Sequence, residues 1–158
     1  FRIYRDIRFS PNKLPYKNHF GAYICPNGGR KSLLSGYYLH LQPDGSFLSG
    51  GIYCPQPAAL KQLRESIELN YHELAAIANE KQFKKVFDGI VSPEVLKRVP
   101  TGFSPDSPAA EWLKYKHFIV EHPLTEAELV AADFREKALD VFRAMKPFND
   151  FCNESLER

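Results

Sequence analysis

Residues 33–53, LLSGYYLHLQPDGSFLSGGIY, restrict the fold of this chain more than any other stretch. Aromatic and leucine-rich arms suit extended backbone. Between them Pro43-Asp44-Gly45 is a turn signal: proline presets the first turn position, and glycine is expected at the φ > 0 position. A hairpin here commits the chain to an antiparallel sheet. Gly50-Gly51 in the second arm predicts a bulge or a close backbone approach. HFGAYI (19–24) predicts a further strand, with Phe20, Ala22 and Ile24 on one face.

From Pro55 the apolar period becomes helical. Leu60, Leu63 and Ile67 recur at helix spacing behind Pro57, which suits a first helical turn. Asn70 with Glu73, and Thr125 with Glu128, read as capping boxes. Ser92-Pro93 and Ser107-Pro108 predict short helix starts around VPTGFSPDS. LKYKHFIVEH (113–122) returns to strand character, with Phe118 and Val120 opposite Tyr115, His117 and Ile119. Phe134, Ala138, Val141, Phe142 and Met145 then form a helical stripe that Pro147 is expected to kink or end. Strands first, helices next, one late strand, then helices: the fold class is α+β, a largely antiparallel sheet of four to five strands packed against several helices.

The 158 residues are expected to form one domain, since no linker or repeat divides them and 44% hydrophobic content supplies a core. No apolar run approaches the roughly 18 residues of a membrane span, so no membrane association is expected. Cys25, Cys54 and Cys152 are odd in number and lack CxxC spacing, which favours a reducing, cytoplasmic compartment over a disulfide framework. The net charge of +2 conceals a polarity. Residues 1–31 hold seven Lys or Arg against Asp6 alone, whereas the remainder holds fourteen basic and eighteen acidic residues. A basic pole on a mildly acidic body points to an anionic partner.

That pole centres on RIYRDIRFSPNKLPY (2–16). As a strand, it would set Phe1, Ile3, Arg5, Ile7 and Phe9 on one face and Arg2, Tyr4, Asp6 and Arg8 on the other. Arg5 on the apolar side demands a carboxylate, carbonyls or a bound anion, because a guanidinium does not lose its charge. Asp6 stands where it can orient Arg8. Arg5, Asp6, Arg8, Asn12, Lys13, Tyr16, Lys17 and His19 are the candidate anion site. Its ligand would be a phosphate- or carboxylate-bearing small molecule, and transfer or hydrolysis at such a group is the chemistry these cations serve. The competing reading is a non-catalytic module: an internal salt-bridge network, with Glu65 or Glu111 as partners, or a surface docking nucleic acid or an acidic protein.

Arg2, Arg5, Asp6, Arg8, Phe9, Asn12, Lys13 and Tyr16 together resemble the signature of domain of unknown function 2461, a bacterial and fungal family. HFGAYI, the hairpin, LKRVPTGF and the KHF strand resemble family segments too, so the likeness extends along the whole chain. The resemblance implies a cytosolic single-domain protein whose upstream helical portion this sequence lacks. It implies no activity.

Other chemistry finds less support. PNGGRKS (26–32) lacks P-loop spacing and precedes a strand. His19, His40, His72, His117 and His122 show no His-x-x-x-His pair, so neither a metal site nor a cofactor is expected; His19, beside the basic loop, could act as acid or base. No nucleophile elbow appears. Tyr37, Tyr38, Phe47 and Tyr53 read first as cross-strand packing and second as stacking platforms for bases. Lys114 and Lys116 alternate on the late strand and could share a side with Arg8.

Overall fold

The computed structural model describes residues 3–6, 8, 9, 11, 13–26 and 32–157. The hairpin forms as expected: β2 (Gly36–Leu41) pairs antiparallel with β3 (Ser46–Ile52), Leu39 opposite Leu48 and His40 opposite Phe47. Its turn differs in one respect. The Gly45 N–H donates to the Gln42 carbonyl at 3.2 Å, which makes Pro43 and Asp44 the central residues; Asp44 takes the φ of 54°. A short polar side chain tolerates that conformation better than most. β1 (Phe20–Ile24) joins β2 and β4 (Phe118–Leu124) joins β3, completing an antiparallel sheet in the order β1-β2-β3-β4.

Six helices accompany the sheet among the described residues: α1 (Pro57–Leu69), α2 (Tyr71–Asn79), α3 (Lys81–Val86), α4 (Ala110–Leu113), α5 (Glu126–Leu129) and α6 (Phe134–Glu157). The fold is α+β. Strand alternation turns Leu48, Gly50, Ile52, Phe118 and Val120 toward α6, which packs on β3 and against α1, α2 and α3. The close approach expected at Gly50-Gly51 occurs. A Cβ on Gly50 would clash with the Met145 sulfur, and one on Gly51 with the Phe118 carbonyl oxygen. Leu63, Ile67, Leu74, Phe83, Leu113, Met145 and Phe148 fill the space between, each at most 2% exposed.

Polar groups tie α6 to the start of β2. Asn149, 3% exposed, accepts from the Ser35 hydroxyl at 2.7 Å and donates to the Gly36 carbonyl at 3.1 Å. Asn153 accepts from the Ser35 N–H at 2.6 Å. Buried main-chain groups that the sheet leaves over are thereby satisfied.

Five local expectations are corrected. Among its described residues the opening segment forms no strand: Tyr4 and Tyr16 form an isolated antiparallel bridge, closed by Arg5 N–H to Pro15 carbonyl (2.9 Å) and Lys17 N–H to Ile3 carbonyl (3.0 Å). Pro11 and Pro15 carry no amide to extend it. The late strand starts at Phe118, because Leu113 closes α4. No helix starts at Ser92-Pro93; the Ser92 hydroxyl accepts from the His117 and Lys116 amides (3.0 and 3.2 Å) and so anchors the entry to β4. The Asn70 side chain caps nothing ahead of it and instead donates back to the Ser66 carbonyl at 3.0 Å. Of the two outcomes expected at Pro147, a kink or an end, the end does not occur: α6 runs through it, and its face carrying Val141, Met145, Phe148, Phe151 and Cys152 is held in the core. By contrast, the Thr125–Glu128 capping box forms in full.

Candidate functional site

The basic segment is built from contacts between near neighbours. Arg8 grips Asp6 with both arms of its fork, Nε to Oδ1 at 2.9 Å and Nη2 to Oδ2 at 2.7 Å. Both side chains are exposed, and the Asp6 carboxylate holds the Arg8 guanidinium above its ordinary pKa. The guanidinium also sits 5.7 Å from the Phe9 ring centre. Tyr16 packs on Tyr4 with ring centres 5.6 Å apart. Arg5 is half-buried, Lys13 and Lys17 are exposed, and Asn12 lies outside the described residues. Glu65 and Glu111, the acids considered as partners for this cluster, pair instead with Lys61 and Lys114.

His19 is the link from this segment to the sheet. Its ring lies 5.0 Å from that of His40 at an interplanar angle of 17°, and His40 in turn lies 4.7 Å from Phe47 at 14°. The pairing register explains what gathers there. Tyr23, Tyr38, Ser49 and Glu121 lie in one row across the four strands; Gly21, His40, Phe47 and Pro123 form the next. Both rows fall on the face opposite α6. The Tyr38 ring crosses Gly21, where a Cβ would meet the phenol oxygen at 2.5 Å.

A cavity of about 720 Å³ opens on this face, lined by Tyr23, Tyr38, His40, Phe47, Tyr53 and Glu121 among others. Gly36, Gly50 and Gly51 are among its lining residues. Both nitrogens of His40 are committed, Nδ1 to the Tyr38 hydroxyl at 2.9 Å and Nε2 to Gln42 Oε1 at 3.3 Å. With the Gln42 oxygen as acceptor, Nε2 carries the proton and Nδ1 accepts from Tyr38. Burial raises the Tyr38 phenol pKa, which keeps it a donor. The face therefore offers flat rings and fixed dipoles beside a cationic segment.

Of the eight residues singled out in the sequence, the structure joins Asp6 to Arg8 and brings His19 to the sheet. None of the seven that are described lines this cavity or the two smaller ones beside it. The hairpin aromatics divide: Tyr37 packs on Phe142 beneath the sheet, while Tyr38 and Phe47 face the opening. Lys114 and Lys116 precede β4 and pair with Glu111 and Glu94. Residues 27–31 of PNGGRKS lie outside the described residues. His40, Glu121 and Arg64 escaped notice as site residues. Register places the first two, whereas Arg64 carried a visible signal, a cation on the apolar stripe of Leu60, Leu63 and Ile67.

Among the described residues no three His, Cys, Asp or Glu side chains gather as metal ligands, and no helix is long and apolar enough to cross a membrane. These features define an α+β protein whose four-stranded antiparallel sheet is covered by helices on one face and forms an aromatic-lined cavity on the other. The chain belongs to the family described as Conserved hypothetical protein (DUF2461), which it matches over residues 1–151. No curated protein and no solved structure matches it.

Proposed function

We propose that this chain binds a small anionic molecule carrying a flat ring, of the nucleotide or aromatic carboxylate kind, on the open face of its sheet. The observation that carries this reading is the near-parallel arrangement of His19, His40 and Phe47, which joins the basic segment to the aromatic cavity. The ring would rest against Tyr38, Phe47 and Tyr53. The anionic group would lie toward the N-terminal segment, where Arg5, Lys13 and Lys17 supply charge and Tyr16 and His19 supply hydrogen bonds. Asp6 holds Arg8 and lowers the segment's net charge without removing its sign. A single-domain chain in a reducing, cytoplasmic setting belongs to this reading, and the three free thiols are compatible with it.

Thermal-shift screening against nucleotides and aromatic carboxylates, read as the shift beyond that given by phosphate or acetate alone, tests it. A ligand should stabilise the wild type but neither His40→Ala nor Lys17→Ala. Equal stabilisation of all three proteins would sink the reading.

A second reading rests on a different observation. Ile3, Tyr4, Phe9, Leu14 and Tyr16 are 56%, 61%, 92%, 64% and 59% exposed, interleaved with the cations. Such a surface also suits docking onto an acidic macromolecule. In that case single-stranded nucleic acid or an acidic peptide would bind with an affinity that falls steeply with salt.

A further inference from the structure

A second cavity, of about 310 Å³, lies between the loop after β3, α1 and the segment leading into β4. Cys54, Leu60, Arg64, Glu94, Lys116 and His117 line it. Arg64 is its unusual member. It occupies the apolar stripe of α1 beside Leu63 and Ile67, and it is 8% exposed. Nη2 donates to the Tyr115 carbonyl at 2.7 Å. Nε is fully buried and has no hydrogen-bond partner among the described residues. Among the described residues no carboxylate lies within ion-pair distance of Arg64, and Glu94, the acid on the cavity wall, is held by Lys116 at 2.8 Å. A guanidinium does not shed its charge under burial, so an uncompensated one is among the least favourable groups a protein can enclose. Burial does lower the Arg64 pKa, as this environment requires.

The opposite wall is set by backbone strain. Cys54 adopts φ 51°, a conformation in which non-glycine residues are uncommon. It directs the Cys54 N–H onto Nδ1 of His117 at 3.0 Å. An imidazole that accepts at Nδ1 carries its proton on Nε2, so His117, 4% exposed and covered by the Tyr53 ring, is fixed as a donor. The cavity thus combines an unbalanced guanidinium and an oriented imidazole N–H with a Lys116–Glu94 pair that neutralises itself, Glu94 being the one acid among its described lining residues.

We propose that this cavity is a binding site for an oxyanion, a carboxylate or phosphate group, with Arg64 as its charge partner and His117 as its hydrogen-bond donor. The site is separate from the open-face reading above: it shares no residue with the N-terminal segment and lies beyond the Tyr53–Pro55 turn from the sheet cavity. A bound oxyanion would complete the Arg64 fork and balance its charge, much as Asp6 does for Arg8 at the surface.

The test is thermal unfolding in sodium acetate, sodium phosphate or sodium chloride at matched ionic strength. It compares the wild type with Arg64→Met, Lys116→Gln and the open-face variant His40→Ala. At tenfold excess over Kd, the wild type and His40→Ala should both melt about 3–6 °C higher in acetate, phosphate or both than in chloride. A shift with acetate alone assigns a carboxylate; a shift with phosphate alone assigns a phosphate. Arg64→Met should lose the shift, and Lys116→Gln should show a smaller one. In chloride, Arg64→Met should melt at or above the wild type, since methionine removes a charge that nothing balances. The proposal is overturned by an anion shift that survives in Arg64→Met, by no shift in the wild type, or by an Arg64→Met protein that melts well below wild type in chloride. Where Arg64→Met does not fold, the Arg64 Nε–H resonance of the wild type decides. It should move on adding the stabilising anion, and a stationary resonance rules the site out.

Discussion

The two faces of the sheet share the same four strands but answer to different physics. On the face toward α6, Leu48, Phe118 and Val120 meet Met145 and Phe148, and glycines stand wherever the helix or a neighbouring strand comes too close for a Cβ. On the other face, Tyr38, His40, Phe47 and Glu121 stand around empty space. Complementary packing produces stability, whereas unfilled aromatic surface with committed hydrogen bonds produces recognition. Neighbouring positions on one strand therefore answer to packing on one side and, in the reading proposed above, to binding on the other.

Breaking the covered face should have the largest effects. Phe148→Ala empties a fully buried position and should lower unfolding free energy by about 3–5 kcal/mol in urea titrations. Gly51→Ala comes next. Its φ of 109° strains any side chain and the new Cβ would meet the Phe118 carbonyl, so a loss of roughly 2–4 kcal/mol is expected. Asn149→Ala leaves the Ser35 hydroxyl and the Gly36 carbonyl without their partner, for about 1–3 kcal/mol by the same titration. On the open face the readout changes. His40→Ala should cost under about 1.5 kcal/mol in stability yet abolish the extra thermal stabilisation given by ring-bearing ligands over phosphate or acetate, which sharpens the contrast between faces. Arg8→Ala removes a pair that is exposed on both sides. Its melting temperature should match wild type in scanning calorimetry, and a clear drop would mean the segment is part of the fold's framework.

What could be read from the chain divides by distance. The Thr125–Glu128 box and the Pro57 helix start involve only neighbouring residues, and both are present. Asn70–Glu73 is equally local but fails because Asn70 must serve two helices: it follows the last turn of α1 and precedes α2, and its side chain goes to the former. The opening segment has strand-forming residues, but among those described only Tyr16 pairs across from Tyr4, since a strand needs a partner ladder that its own composition does not supply. The α+β class followed from strand and helix periods alone. The candidate site was legible only as a concentration of charge. Which rings meet His19, and whether Arg64 has an acid beside it, depend on pairing register and on the course of the chain before β4.

The clasp between α6 and Ser35-Gly36 joins residues 114 apart in sequence. At translation rates of about 5–20 residues per second, the amides opening β2 would wait roughly 6–23 s before the asparagines that satisfy them are synthesised. During that interval the edge of the nascent hairpin carries unmet hydrogen-bonding groups beside exposed aromatic rings. The groups that open β2 are made early yet are among the last of the sheet to be satisfied, and that interval is when the chain most needs protection from its neighbours.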